Sequence, residues 1–255
     1  MSTAYPLYAF HSLECYLTRK KEQFTLEQLK TYETKPPKDI NSDKIDVRGK
    51  YPLFVSYSMT QSQELRGCIG TFGSLPLEAG IHEYSLIAAL EDSRFHPVKM
   101  HELPRLTVEV TILRDFQEIE DPMDWTIGQH GLVMGVDYNG RHYQGTFLPT
   151  VAEKNKWSKD QTLNYLLRKA GVPAHVKWRD QPVQLTRYEG DKVGLTYQEY
   201  TKRIEELVQR EVHEQPLGNR SDSDKESEET GKTSISGDSA ENSIGSSAKD
   251  SETTL

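Results

Sequence analysis

Leu106-Thr107-Val108-Glu109-Val110-Thr111-Ile112 alternates apolar and polar side chains without a break. Successive side chains of a β-strand point to opposite faces, so this stretch buries one face and leaves the other wet. Such half-buried strands belong to antiparallel sheets, because parallel strands are covered on both faces and read as continuous apolar runs. Working outward, Leu53, Val55, Tyr57 and Met59 repeat the alternation, and Leu65 to Phe72 reads as their neighbour. Leu132–Tyr138 and Arg141–Leu148 flank Asn139-Gly140, a dipeptide suited to a type I′ hairpin turn with positive φ at both central residues. Val183 to Tyr188 reads as a short strand.

Helical signals lie between these strands. Tyr5 to Thr18 carries Leu7, Phe10, Leu13 and Leu17 at helical spacing and is expected to be amphipathic. Thr25-x-x-Gln28 is a capping box for a short second helix. Leu77, Ile81, Tyr84 and Ala88 share one helical face. Ser158-x-x-Gln161 opens a helix whose stop is Gly171 and Pro173, and Thr196-x-x-Glu199 opens the last one. Mixed helices and strands with a clear hairpin predict an α+β fold with mainly antiparallel pairing.

The expected domain covers residues 5–210, with an exposed loop at 35–50 around Pro36-Pro37. Residues 215–255 form an acidic tail. Between 221 and 255 there are ten Ser, four Thr, nine acidic and three basic residues, and no aromatic residue. A segment this polar buries too little apolar surface to offset its ordering entropy, so it is expected to be disordered. Ser221, Ser223 and Ser247 each precede an acidic residue by three positions, a pattern that suits acidophilic kinases.

The chain's net charge is -8, of which residues 221–255 carry -6, so the folded part is nearly neutral. With only the short Arg19-Lys20-Lys21 run as a basic cluster, nucleic acid is disfavoured as a partner. Two cysteines, Cys15 and Cys68, support neither a disulfide framework nor a four-cysteine zinc site, which points to a reducing compartment. No window is apolar enough to span a bilayer, and the N-terminus lacks the pattern of a secretory signal. The expected location is the cytoplasm, with the nucleus as a second compartment. No cofactor or metal is expected. Gly67-x-x-Gly70 is too short for a phosphate loop, and His96 and His101 are five apart with no completing cluster.

Leu65-Arg66-Gly67-Cys68-Ile69-Gly70 is the segment richest in chemical signals. Glycines weaken strand interiors, so Gly67 and Gly70 mark a bulge or a close backbone approach. Arg66, two residues from Cys68, would lower a thiol pKa if it lay near the sulfur. The plainer reading is a small buried hydrophobe, the common state of free cysteine.

Leu65-Arg-Gly-Cys-Ile-Gly-Thr-Phe72 resembles the signature of the AMMECR family, the AMME-syndrome chromosomal-region proteins. The resemblance continues through Ala89-Leu-Glu-Asp-Ser-Arg-Phe95, Glu102-Leu-Pro-Arg-Leu106, Trp125, His130-Gly131, Phe147-Leu-Pro149, Leu166-Leu-Arg-Lys169 and Leu185-Thr-Arg-Tyr188. Relatives commonly carry proline at the position of His96. The resemblance implies an α+β fold of two unequal parts, antiparallel sheets with flanking helices, and a signature at a cleft between the parts. Members of that family have no established enzymatic activity.

Two classes of function compete. In the first, the protein is a regulatory or adaptor module. Arg66, Arg94, Arg105 and Arg187, with Gly67, Gly70 and Asp92, would hold a small anionic ligand or a protein partner by bidentate hydrogen bonds. In the second, Cys68 is a nucleophile and His130, beside Gly131, its base, with Asp92 and Arg94 orienting the base. The plain alternatives are a His130 that bonds a loop and an Asp92-Ser93-Arg94 helix stop with a local salt bridge.

Overall fold

The computed structural model describes residues 1–33, 45–214 and 253–254. The alternating stretch forms the first half of β3 (Leu106–Ile119), and its four apolar side chains are fully buried. β3 pairs on one side with β1 (Lys50–Met59), which pairs with β2 (Leu65–Pro76). On its other side lies β6 (Val183–Thr196), then β4 (His130–Tyr138) and β5 (Arg141–Phe147). The order is β5-β4-β6-β3-β1-β2, every pairing is antiparallel, and a two-residue β7 (Thr253–Thr254) adds beside β2. Asn139 and Gly140 take φ of 50° and 73°, as their turn requires.

Among the described residues six helices flank the sheet: α1 (Ala4–Thr18), α2 (Leu26–Thr31), α3 (Leu77–Leu90), α4 (Thr150–Lys154), α5 (Lys159–Lys169) and α6 (Tyr197–Glu214). The capping boxes at Thr25 and Ser158 form in full. Thr196 and Glu199 exchange the same pair of bonds at the start of α6. Two expectations need correction. Val183–Tyr188 is only the first half of a 14-residue strand. Glycines and charges in Glu189-Gly-Asp-Lys192 mimic a break, yet Glu189 and Asp191 pair with Arg114 of β3, and Gly190 admits Leu113 and Pro149. Nor is α1 amphipathic: it packs among α2, α3, α6 and the sheet, and eleven of its fifteen residues are buried.

The expected α+β class holds, and its two unequal parts share one sheet. The larger core joins α1, α2, α3 and α6 to β1–β3. The smaller joins α4 and α5 to β4–β6, around Trp125, Leu132, Leu163, Leu166 and Leu185. A third cluster, Phe54, Leu113 and Tyr188, fills the opposite face. There Phe72 of β2 meets Tyr188 of β6 at 5.9 Å although β1 and β3 lie between, so the sheet is strongly curled. Of the loop expected at 35–50, residues 35–44 lie outside the described residues and Ile45 is buried. The proposed kinase sites and most of the tail also lie outside them.

Candidate functional site

The signature occupies β2, at the edge of the long-stranded sheet. Both of its first two glycines are explained by packing within the chain. A Cβ on Gly67 would stand 2.0 Å from the carbonyl oxygen of Ala88 in α3. One on Gly70 would stand 2.2 Å from the Phe54 ring. The close approach expected from the sequence is therefore the approach of α3 and Phe54.

The chain leaves α3 through Asp92-Ser93-Arg94, which closes onto the backbone of Cys68. The buried Asp92 carboxylate accepts the Cys68 N–H at 2.9 Å, and Arg94 Nη2 donates to the Cys68 carbonyl at 3.0 Å. Arg94 also donates from Nε and Nη2 to Asp92, at 2.9 and 2.7 Å. These Arg94 bonds, aided by the Cys68 N–H, outweigh burial and hold the Asp92 carboxyl at a pKa of about 2.

Arg66 turns toward the 3-10 turn Met100–Arg105. Its Nε and Nη2 grip Glu102 at 3.0 and 3.2 Å, and Glu102 also accepts the Lys99 N–H at 2.8 Å. Burial would raise the Glu102 pKa, but Arg66 and the Lys99 amide together lower it. The Arg66 side chain is only 14% exposed, and its Nη1 is shut from solvent with no hydrogen-bond partner among the described residues. Arg66, Ser93, Arg94, Phe95 and His96 line a cavity of about 400 Å³. All five belong to the larger part of the fold, so this cavity does not lie between the two parts. A larger open groove of about 1040 Å³ runs along α3, but Glu22, Glu78, Glu83 and Glu91 line it and would repel anions.

Cys68 is buried, at 6% exposure. Burial raises its thiol pKa to about 11, outweighing the opposing pull of Arg94 and Lys192. His130 is not brought to it. Through the register, Cys68 aligns with Ser56, Glu109 and Gly194, whereas His130 aligns with Glu189, five residues away on β6. That separation is about 17 Å along the strand, with four strand steps across. The pleat also sets the two side chains on opposite faces, Cys68 with Phe54 and Phe72, His130 with Glu189. His130 Nδ1 accepts the Thr126 N–H at 2.9 Å, a local turn bond of the plain kind considered above. Arg187 is also remote, donating to Asp124 and Gln117. Arg105 is exposed on the 3-10 turn and does not line the cavity.

The order of these motifs along one chain, on this fold, matches a known family: the AMMECR1 family model aligns with residues 7–193. The chain belongs to the AMMECR1 family. It is 39% identical over 158 residues to an uncharacterised protein of Schizosaccharomyces pombe, covering 61% of this chain and 81% of that protein. An uncharacterised Saccharomyces cerevisiae protein is 32% identical over 234 residues, covering 81% of this chain and 90% of that protein. The crystal structure of an uncharacterised protein from Pyrococcus horikoshii superposes with a TM-score of 0.55 at 27% identity, covering 74% of this chain and 89% of that one. Of the residues named from the sequence, Arg66 and Arg94 line one cavity, and Asp92 and Arg94 bond the Cys68 backbone. Residue chemistry alone misses Glu102, Ser93, Phe95 and His96. Glu102 lies 36 residues from Arg66, and no local spacing reports such a pair.

Proposed function

We propose that the protein is a non-catalytic binding module, regulatory or adaptor in role, that captures an anionic group at the Arg66–Arg94 cavity. The group is a carboxylate or phosphate, borne by a small molecule or a partner protein. The observation that carries this reading is two guanidiniums, those of Arg66 and Arg94, on the lining of one cavity. Arginine forks suit planar or tetrahedral oxyanions. Phe95 and His96 supply a rim for the remainder of the ligand. The raised thiol pKa and the distance to His130 weigh against the nucleophile reading. Both cysteines are free, in keeping with action in the cytoplasm or nucleus. Among the described residues no helix is long and apolar enough to cross a membrane.

Thermal unfolding in phosphate, acetate and chloride at equal ionic strength tests the proposal. Phosphate or acetate should raise the Tm of the wild type, and Arg66→Lys, which keeps the charge but loses the fork, should lose that gain. Identical melting in all three salts would sink the anion-binding reading.

A further inference from the structure

β2 is the outermost long strand, and its stretch 67–75 contains no Lys, Arg, Asp, Glu or Pro. Sheet edges present unpaired N–H and C=O groups, and proteins blunt them with charge, proline, short length or cover. The opposite edge uses two of these devices: β5 has seven residues and opens on Arg141 and His142. β2 has neither.

Its cover is local. Asp92 and Arg94 occupy the N–H and C=O of Cys68, both of which therefore point away from β1. In an antiparallel pair the outward groups recur every second residue, so those of Gly70 point the same way. Gly70 has no side chain to shade its own edge. At that point Thr253 pairs with Gly70 and Thr254 with Ile69, antiparallel. The register also bounds this added strand. Toward Cys68 the edge is already occupied by the Asp92–Arg94 turn. Toward Gly73 the β1–β2 ladder shifts register after Thr71, and Thr71 Oγ1 accepts the Gly73 N–H at 2.9 Å. A short dockable edge is left, flanked by two stops. Its occupant is a Thr-Thr pair, β-branched residues that suit a strand.

We propose that the outer edge of β2 at Gly70 is a strand-docking site and that the Thr253–Thr254 segment of this chain is its occupant. Recognition is through main-chain hydrogen bonds, so it needs extended backbone and small or β-branched side chains rather than charge. The docked segment closes the uncharged stretch of this long edge and denies it to other strands. This surface is distinct from the Arg66–Arg94 cavity and stands whether or not that cavity binds an anion.

Hydrogen exchange of the full chain resolves it. Thr253→Pro removes the N–H that would donate to Gly70 and leaves the folded domain untouched. Exchange over Ile69–Phe72 should become several-fold faster in Thr253→Pro and remain as in the wild type in Thr253→Ser. Equal exchange in all three chains would overturn the proposal. So would protection that Thr253→Pro leaves intact but dilution abolishes, because the occupant would then be a second copy's strand.

Discussion

Gly67 meets the carbonyl of Ala88 where any Cβ would collide with backbone, which has no rotamer to yield. Gly67→Ala should therefore cost about 2–3 kcal/mol, toward the upper end for overpacking, as read by urea unfolding. A change within about 0.5 kcal/mol, normal for surface sites, would show that α3 can retreat. Cys68 next door is a neutral thiol at physiological pH. Iodoacetamide should modify it far more slowly in the native protein than in urea. Asp92 is the counterpart on the acidic side. Its folded pKa of about 2 lies below the ordinary 3.8, so its contribution to stability is complete above about pH 4 and fades as pH falls through about 2. Asp92→Asn should flatten the stability–pH curve in that window. His11 acts at milder pH. Burial lowers its pKa below 6.5, while its Nε2 accepts the N–H groups of Gln23 and Phe24. The unfolded chain takes up that proton first, so stability is full above pH 6.5 and declines below it.

At the scale of elements, the last helix is attached by hydroxyls. Tyr197 and Tyr200 of α6 both donate to the Glu14 carboxylate of α1, each at 2.5 Å. Tyr200 is buried, so removing the acceptor strands a hydroxyl. Glu14→Ala should cost about 2–4 kcal/mol and speed exchange across α6 before the sheet opens. Unchanged α6 exchange would mean that apolar packing alone holds the helix. What the sequence makes legible follows the range of the cause. The boxes at Thr25 and Ser158 close over three residues and were readable from those residues alone. β6 was half-read because its charges are satisfied by Arg114, some 75 residues away in the chain, and nothing local signals that. α1 looked one-sided because Tyr8, His11 and Ser12 are polar by type, yet all three are buried, met by Glu22, by the Gln23 and Phe24 amides and by His82 of α3. At the site, the Asp92–Arg94 pair was visible at a spacing of two, whereas the Arg66–Glu102 grip and the faces of Cys68 and His130 depend on strand order.

At the scale of the molecule, two cores of unequal size lean on one sheet. Leu166 is fully buried in the smaller one. Leu166→Ala should cost about 2–5 kcal/mol and raise exchange in α5 and β5 first, leaving β1 and β2 protected. Uniform loosening of both parts would instead show a single cooperative unit. β6 is the strand common to both, pairing with β4 over Val183–Glu189 and with β3 over Leu185–Thr196. It is also the last long strand among the described residues. A ribosome therefore delivers β3 and β4 before the strand that belongs between them, and until Thr196 has emerged both wait with bare edges. The hazardous interval for this protein is accordingly set by the order of translation. Slowing elongation ahead of β6 should increase misassembly and dependence on chaperones, even though the finished sheet is unaltered.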